Sequence, residues 1–186
     1  LAEAFGRLDR DDVRLTFVGD GPLREQVARI LARHGRRSQV DFTGNLSNAE
    51  ARLRIAAADL LVLPSRFDGW GAVVNEALML GTPVVCSDRC GACDLLDGAA
   101  RGEAYRWNRI DELCAALKRR IAAGPISSDA RAVIRRWSAS AISGEAVADY
   151  LIAAVRWVYE NGPRPVPPWD AIMQRPEAAP VDVAEQ

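Results

Sequence analysis

The sequence predicts an α/β protein: a doubly wound parallel sheet with helices on both faces, followed by C-terminal helices. Short apolar runs alternate along the chain with longer segments whose apolar residues recur at helical spacing. Strands that alternate with helices favour a parallel sheet whose two faces are both covered. With 186 residues, 49% of them hydrophobic, the chain can bury one large core.

Each element follows from its local pattern. Short segments with Val, Leu and Phe predict strands at 13–18, 39–43, 60–63 and 83–86, and the alternation of strands and helices predicts a fifth at 103–106. The segments between them predict helices at 22–34, 47–57, 73–80 and 110–122, with a short helix at 92–96. The chain opens on what we interpret as the end of a helix at 2–8, and two last helices are expected at 128–138 and 144–160.

A proline-rich stretch follows the last predicted helix. We therefore divide the chain into a Rossmann-like domain at 1–160 and a tail or linker at 161–186, beginning with Asn161. Trp169, Ile172 and Met173 stand out in this tail. They could dock on a neighbouring domain, or they could belong to a loosely ordered end.

Charge and composition disfavour several classes of protein. The formal net charge of −1 gives no basic excess of the kind that nucleic acid requires. We find no segment with the length of a transmembrane helix and no signal peptide, and we expect a cytoplasmic protein. A basic cluster of Arg33, His34, Arg36 and Arg37 suits the end of a helix dipole, or alternatively an anionic lipid at the inner face of a membrane.

A loop that joins a strand to a helix is the candidate site. Residues 64–85 read PSRFDGWGAVVNEALMLGTPVV, which places Asp68 eight positions before Glu76. Helix N-termini bind phosphate through free backbone amides, and Gly69 and Gly71 permit dihedrals and close approaches that a side chain would forbid. Glu76, about one turn inside the helix, could accept two hydrogen bonds from a ribose diol.

The same residues have purely structural interpretations. Glu76 could complement the helix dipole, Asp68 could be an ordinary turn residue, and Trp70 could be a packed surface aromatic. The two acids with two glycines between them, directly after a strand, favour a binding site.

This segment resembles the C-terminal, donor-binding domain of the retaining nucleotide-sugar glycosyltransferases of family four, which have the GT-B fold. Those domains carry a Glu, seven residues and a second Glu, where this chain has Asp68 and Glu76. Four other segments occur in the family's order. They are FVGDGP at 17–22, VDFTG at 40–44, AADLLVLPS at 57–65 and GTPVV at 81–85, and the resemblance extends over roughly 13–159.

The resemblance implies a role for each matching position. Glu76 would hold the ribose of the donor nucleotide, and the amides of Gly71, Ala72 and Val73 would hold its diphosphate. Asp68 would be the catalytic acid that stabilises charge at the anomeric carbon, although it is one methylene shorter than the family's Glu.

Two further groups complete the implied donor site. Gly69 and Trp70 would contact the transferred sugar beside the catalytic acid. Thr43, Gly44 and Asn45 would meet the nucleobase through their backbone.

The resemblance further implies a hexosyltransferase of polysaccharide biosynthesis that uses a UDP-, GDP- or ADP-sugar and retains configuration. No metal or other cofactor is expected. The acceptor, a glycan or a lipid, would bind an N-terminal domain that this segment lacks, so we expect the segment alone to bind donor weakly and to transfer nothing. Two alternatives stay open: a nucleotide-sugar epimerase or a phosphorylase of the same architecture, which the spacing disfavours, and a non-catalytic nucleotide-sugar-binding module.

The cysteines and the single histidine complete the list of candidates. Cys86, Cys90 and Cys93 have the spacing of an iron–sulfur motif, but the first of them ends a predicted buried strand, and we expect reduced thiols instead. Cys114 lies at an apolar helix position and is predicted to be core. His34, in the arginine-rich helix end, is a poor candidate for a general base.

Overall fold

The computed structural model describes residues 1–96, 99–160 and 162–171. Asn161, Ile172 and Met173, which belong to the predicted tail, lie outside the described residues. The chain divides into two compact units, Leu1–Arg136 and a second unit that begins at Trp137. The proposed boundary between 160 and 161 rests on composition and stays a prediction.

Five short strands form two parallel groups in the first unit. Strand β1 (Leu15–Phe17) pairs with β2 (Val40–Phe42), and β3 (Leu61–Leu63), β4 (Val84–Ser87) and β5 (Gly102–Tyr105) pair in that order. Every pairing is parallel, which confirms the predicted class. Among the described residues the strands form two separate hydrogen-bonded groups, and β1 and β3 are not neighbours.

The helices lie where the sequence predicted them, with small differences at their ends, except for the last one, which falls in the predicted tail. They are α1 (Ala2–Gly6), α2 (Arg24–Arg33), α3 (Asn48–Ala57), α4 (Ala72–Leu80), α5 (Ile110–Ala122), α6 (Ser128–Ala141), α7 (Gly144–Glu160) and α8 (Pro168–Ala171). The predicted short helix is a 3₁₀ turn, Gly91–Leu95. In the part of the chain that the structure describes, none of these helices combines the length and apolar character needed to cross a bilayer.

The core of the first unit lies where α1, α2 and α5 pack on the strands. Phe5 of α1, Leu31 of α2 and Leu117 of α5 are buried there with Val85 of β4. Cys114 is also buried in this cluster, which confirms its prediction as a core residue.

Three of the four residues of the basic cluster at the end of α2, namely Arg33, His34 and Arg36, are paired with acidic residues. The Glu3 carboxylate accepts from Arg33 Nη2 at 3.4 Å and lies 2.9 Å from His34 Nε2. Arg36 Nη1 donates to Asp11 Oδ1 at 2.8 Å. These contacts connect α2 with α1 and with the segment that follows α1. They disfavour a lipid-binding role for the basic cluster.

The C-terminal end of α4 is fixed by a buried threonine. Gly81 ends the helix at φ +81°, and Thr82, which is fully buried, donates from Oγ1 to Ile55 O at 2.8 Å. Arg131 Nη1 donates to the same hydroxyl at 3.1 Å, and its Nη2 donates to Ala58 O at 2.8 Å. The hydroxyl therefore joins α3 and α6 to the helix that carries the candidate site.

Replacing this hydroxyl should destabilise the protein. Thr82→Val keeps the volume but removes the hydrogen bond to Ile55 O, which keeps the Ala58 N–H as a donor, and deprives Arg131 Nη1 of its hydroxyl acceptor. We expect a loss of about 1–3 kcal/mol in the free energy of unfolding. Denaturant unfolding measures it. The control Thr16→Val, at an exposed position of β1, should change stability by no more than about 0.5 kcal/mol. Equal effects of the two substitutions would contradict the anchoring role.

Candidate functional site

The candidate site lies between β3 and α4. We call residues 64–71 the site loop. It carries Asp68, Gly69, Trp70 and Gly71, and α4 continues directly with Ala72, Val73 and, in its second turn, Glu76. The structure thus places seven of the ten predicted site residues on one loop and one helix. The helix begins one residue earlier than predicted, so the glutamate lies just beyond the first turn.

The N-terminus of α4 presents unpaired backbone amides. Gly71 is the N-cap and supplies no side-chain acceptor, while the Val74 N–H donates to Gly71 O at 2.8 Å. Among the described residues, the amides of Gly71, Ala72 and Val73 have no acceptor in the protein. Such amides, at the positive end of the helix dipole, are suited to an anion.

The two glycines of the site loop have different roles. Gly71 has φ +85°, and a Cβ added there would lie 2.3 Å from Cys90 Sγ and 3.1 Å from Leu63 Cδ2. Gly69 is not among the glycines with positive φ, and an added Cβ would have no atom within 4 Å. The prediction that both positions require glycine for their conformation is therefore wrong for Gly69.

The two acids are both half-buried, but their surroundings differ. Asp68 Oδ1 accepts from the Trp70 N–H at 3.2 Å. Asp68 therefore has the local hydrogen bond of a turn residue, which was one of its two interpretations from the sequence. Glu76 has neither a hydrogen bond nor an ion pair within the described residues. A half-buried carboxylate with all its acceptor positions open can bind hydroxyl groups of a ligand.

Trp70 is tethered at the rim of the site. Its indole Nε1–H donates to Asn75 Oδ1 at 3.0 Å, while 45% of the residue stays exposed. Asn75 was not predicted as a site residue, since its role depends on this contact between the loop and the helix. The tether fixes the ring and leaves one face of it accessible.

A second loop is hydrogen-bonded to the site loop. Residues 88–92, which we call the support loop, follow β4 and form three backbone hydrogen bonds with the site loop. The Asp68 N–H donates to Arg89 O at 2.9 Å, the Gly91 N–H to Asp68 O at 3.3 Å, and the Ala92 N–H to Trp70 O at 2.7 Å. Sequence reasoning missed this loop, whose sole local signal is a glycine after a buried strand.

The residues predicted to meet a nucleobase form a separate group at the ends of β1 and β2. The Thr43 N–H donates to Phe17 O at 3.0 Å, and the Gly19 N–H donates to Gly44 O at 2.8 Å. These bonds use the amide of Thr43 and the carbonyl of Gly44. A base that approached here would meet the Gly44 N–H and the backbone of the exposed Asn45.

The three cysteines near the site are free thiols. Burial raises the pKa of Cys86, Cys90 and Cys93, so each keeps its proton at neutral pH. Within the described ranges, the acidic residues, cysteines and histidine form no group that could hold a metal ion.

A cavity of about 300 Å³ lies away from this loop, against α1 and α5. It is lined by Arg7, Asp111, Cys114, Ala115 and Lys118. The unpaired amides and the unpaired carboxylate lie instead at Gly71 and in the first two turns of α4.

Comparisons with known proteins identify relatives of this chain. A family model described as glycosyl transferases group 1 matches residues 1–135. The chain is 30% identical over 108 residues to the alpha-D-kanosaminyltransferase of Streptomyces kanamyceticus, covering 58% of this chain and 28% of the relative. It is 38% identical over 95 residues to a putative teichuronic acid biosynthesis glycosyltransferase of Bacillus subtilis, covering 51% of this chain and 22% of the relative.

A solved structure gives the same fold. The Anabaena protein HepE in complex with UDP matches with a TM-score of 0.67 and 22% identity, covering 81% of this chain and 43% of that chain. At this identity the likeness shows the fold alone. The chain thus spans about a quarter of the length of the curated relatives named above and less than half of the structural neighbour.

Alanine substitutions at the two glycines should have different effects on the free energy of unfolding. Gly71→Ala forces a side chain into the left-handed region and against Cys90 Sγ, and we expect a loss of about 2–4 kcal/mol in stability. Gly69→Ala, two residues away in the same loop, should be nearly neutral. Thermal or denaturant unfolding of the two variants tests the difference, and equal losses would contradict the geometry of the loop.

Proposed function

The chain belongs to the family of glycosyl transferases group 1, and we propose that it is the donor-binding part of a retaining nucleotide-sugar hexosyltransferase. The observation that carries the proposal is the juxtaposition, on one loop and helix, of three unpaired amides and an unpartnered carboxylate. A sugar nucleotide offers the matching groups, a diphosphate and a ribose diol. The UDP that the HepE structure contains supports a nucleotide ligand for this fold.

The diphosphate binds, in this proposal, at the N-terminus of α4. The amides of Gly71, Ala72 and Val73 donate to its oxygens, and the helix dipole adds about 0.3–1 kcal/mol of favourable interaction. These donors are in place before the ligand arrives, because the turn at Gly71 is fixed by its contacts. They also stabilise the negative charge that grows on the diphosphate as the bond to the sugar breaks.

The ribose binds at Glu76. A carboxylate can accept hydrogen bonds from both hydroxyls of a diol, and charge-assisted bonds of this kind are stronger than neutral ones. Glu76 lies one turn beyond the amides, about 6 Å further along the helix axis from Ala72 at 1.5 Å per residue. That separation matches the reach from a phosphate to the ribose that carries it.

Asp68 acts on the transferred sugar. During transfer the bond between the anomeric carbon and the diphosphate oxygen breaks, and a bond to an acceptor hydroxyl oxygen forms. The diphosphate leaves with the bonding electron pair and takes up the proton that the acceptor hydroxyl loses, while the Asp68 carboxylate stabilises the positive charge that develops at the anomeric carbon. Retention of configuration and the absence of a metal requirement belong to this proposal, and Gly69 and the exposed ring of Trp70 border the sugar.

The acceptor side is assigned to a further domain. The chain spans about a quarter of the length of its curated relatives, so most of the length of those relatives has no counterpart in it. We therefore propose that this chain alone binds donor without transferring the sugar. We assign the whole transferase to cytoplasmic polysaccharide or glycolipid synthesis, with the glycan or lipid acceptor bound by the other domain.

Nucleotide binding should depend on Glu76. Titration of the purified chain with UDP, GDP and ADP by calorimetry should show that one of them binds. Glu76→Gln should weaken its binding about 10–100-fold through the loss of a charged acceptor. Glu25→Gln, at an exposed position of α2, serves as the control and should leave the affinity unchanged. No binding of any of the three nucleotides would contradict a donor site on this chain.

Asp68 should affect the sugar and not the nucleotide. Asp68→Asn keeps the Oδ1 acceptor that the Trp70 amide uses but removes the charge. Binding of UDP-glucose, GDP-mannose or ADP-glucose, whichever matches the preferred nucleotide, should weaken about 3–10-fold, while binding of the free nucleotide stays the same. Equal weakening of both ligands would instead assign Asp68 to nucleotide binding or to loop structure.

A further inference from the structure

Cys90 lies directly beneath the N-cap of α4. Its side chain is 1% exposed, and its Sγ–H donates to Trp70 O at 3.0 Å. A Cβ added at Gly71 would come within 2.3 Å of this sulfur. The thiol therefore occupies the space that the absence of a side chain at Gly71 leaves open.

We propose that Cys90 is a positioning residue for the donor diphosphate: it holds the Trp70–Gly71 peptide so that the first amide at α4 faces the ligand. The proposal rests on the proposed function, since the ligand it concerns is the diphosphate of the donor. Cys90 itself touches no substrate in this arrangement and acts through the peptide above it.

The planar peptide group between Trp70 and Gly71 determines the direction of the Gly71 N–H. Trp70 O and the Gly71 N–H belong to the same peptide, which is trans, so the two groups point in opposite directions. Trp70 O accepts from the Ala92 N–H at 2.7 Å and from Cys90 Sγ at 3.0 Å, which uses both lone pairs of the oxygen. With the carbonyl held toward the support loop, the Gly71 N–H must point away from it, toward the open side of the site.

The chemistry of a buried thiol suits this role. Burial raises the pKa of Cys90, so the sulfur keeps the proton that it donates to the carbonyl. A sulfur atom also fills more space than a hydroxyl oxygen, which keeps the contact with Gly71 close. Alanine would remove both the donor and the volume, serine would keep the donor, and valine would keep most of the volume.

Four variants separate positioning from general stability. Cys90→Ala, Cys90→Ser and Cys90→Val are compared with Cys114→Ala, which removes a buried thiol in α5 away from the site. Two quantities are measured: hydrogen exchange of the Ala92 amide, corrected for global unfolding, and the affinity for whichever of UDP, GDP and ADP the wild-type chain binds.

We expect Cys90→Ala to accelerate exchange of the Ala92 amide at least tenfold and to weaken nucleotide binding about 5–10-fold. Cys90→Val should have the same effects, because it cannot donate to the carbonyl, and it provides the measurement if Cys90→Ala does not fold. Cys90→Ser should keep both quantities within about threefold of wild type. Cys114→Ala should lower stability while leaving both unchanged.

Unchanged Ala92 exchange in the alanine and valine variants would overturn the proposal, as would faster exchange with unchanged nucleotide affinity. A wild-type chain that binds no nucleotide would contradict the proposed function separately. In that case, faster exchange in the alanine variant, with rescue by serine, would still support the hold on the peptide.

Discussion

The left-handed backbone at Gly71 is the constraint on which the candidate site depends. This residue turns the chain from the site loop into α4 at φ +85°, a conformation that costs other residues about 1–2 kcal/mol. The turn leaves the first amides of the helix without a cap, so that they can donate to a ligand. A side-chain cap at this position, such as Ser or Asp, would accept from one of the first amides of the helix and compete with an anion for it. Here the sequence favours function over the stability of the helix end.

The constraint is maintained by the pairing of two neighbouring strands. Leu63 at the end of β3 lies opposite Cys86 in β4, so the loops that follow these strands run side by side. Their backbones then form the three hydrogen bonds between the site loop and the support loop. At the other end of α4, Thr82 connects the helix to α3 and α6. The helix is thus held at both ends, and the position of Glu76 follows from its place on it.

Regular elements could be predicted from the sequence because their signal is local. The run 60–63 gave β3, and the apolar segment 73–80 gave α4 to within one residue of its start. The role of Cys90 could not be predicted in this way, since it arises from a contact with a loop about twenty residues earlier in the chain. The sequence also could not separate Gly69 from Gly71, because their difference lies in backbone dihedrals and in the atom beneath each Cα. The tether of Trp70 by Asn75 required the same tertiary information.

The basic cluster of α2 is a further case in which a local sequence pattern does not reveal tertiary contacts. Residues that a linear pattern presents as a charged surface are paired with Glu3 and Asp11, acids from other parts of the chain. Arg33 and Arg36 therefore each have an acidic partner within the protein. The free donors of the first unit that matter for the proposed ligand are backbone amides, which carry no signature in composition or net charge.

An NMR titration of the ¹⁵N-labelled chain with the preferred nucleoside diphosphate tests the central claim most directly. We expect the amide signals of Gly71, Ala72 and Val73 to shift the most, with smaller changes at Gly44 and Asn45. If these signals stay in place while those of Arg7, Asp111 and Lys118 shift around the cavity by α5, the donor site is not at the N-terminus of α4 and the account is contradicted.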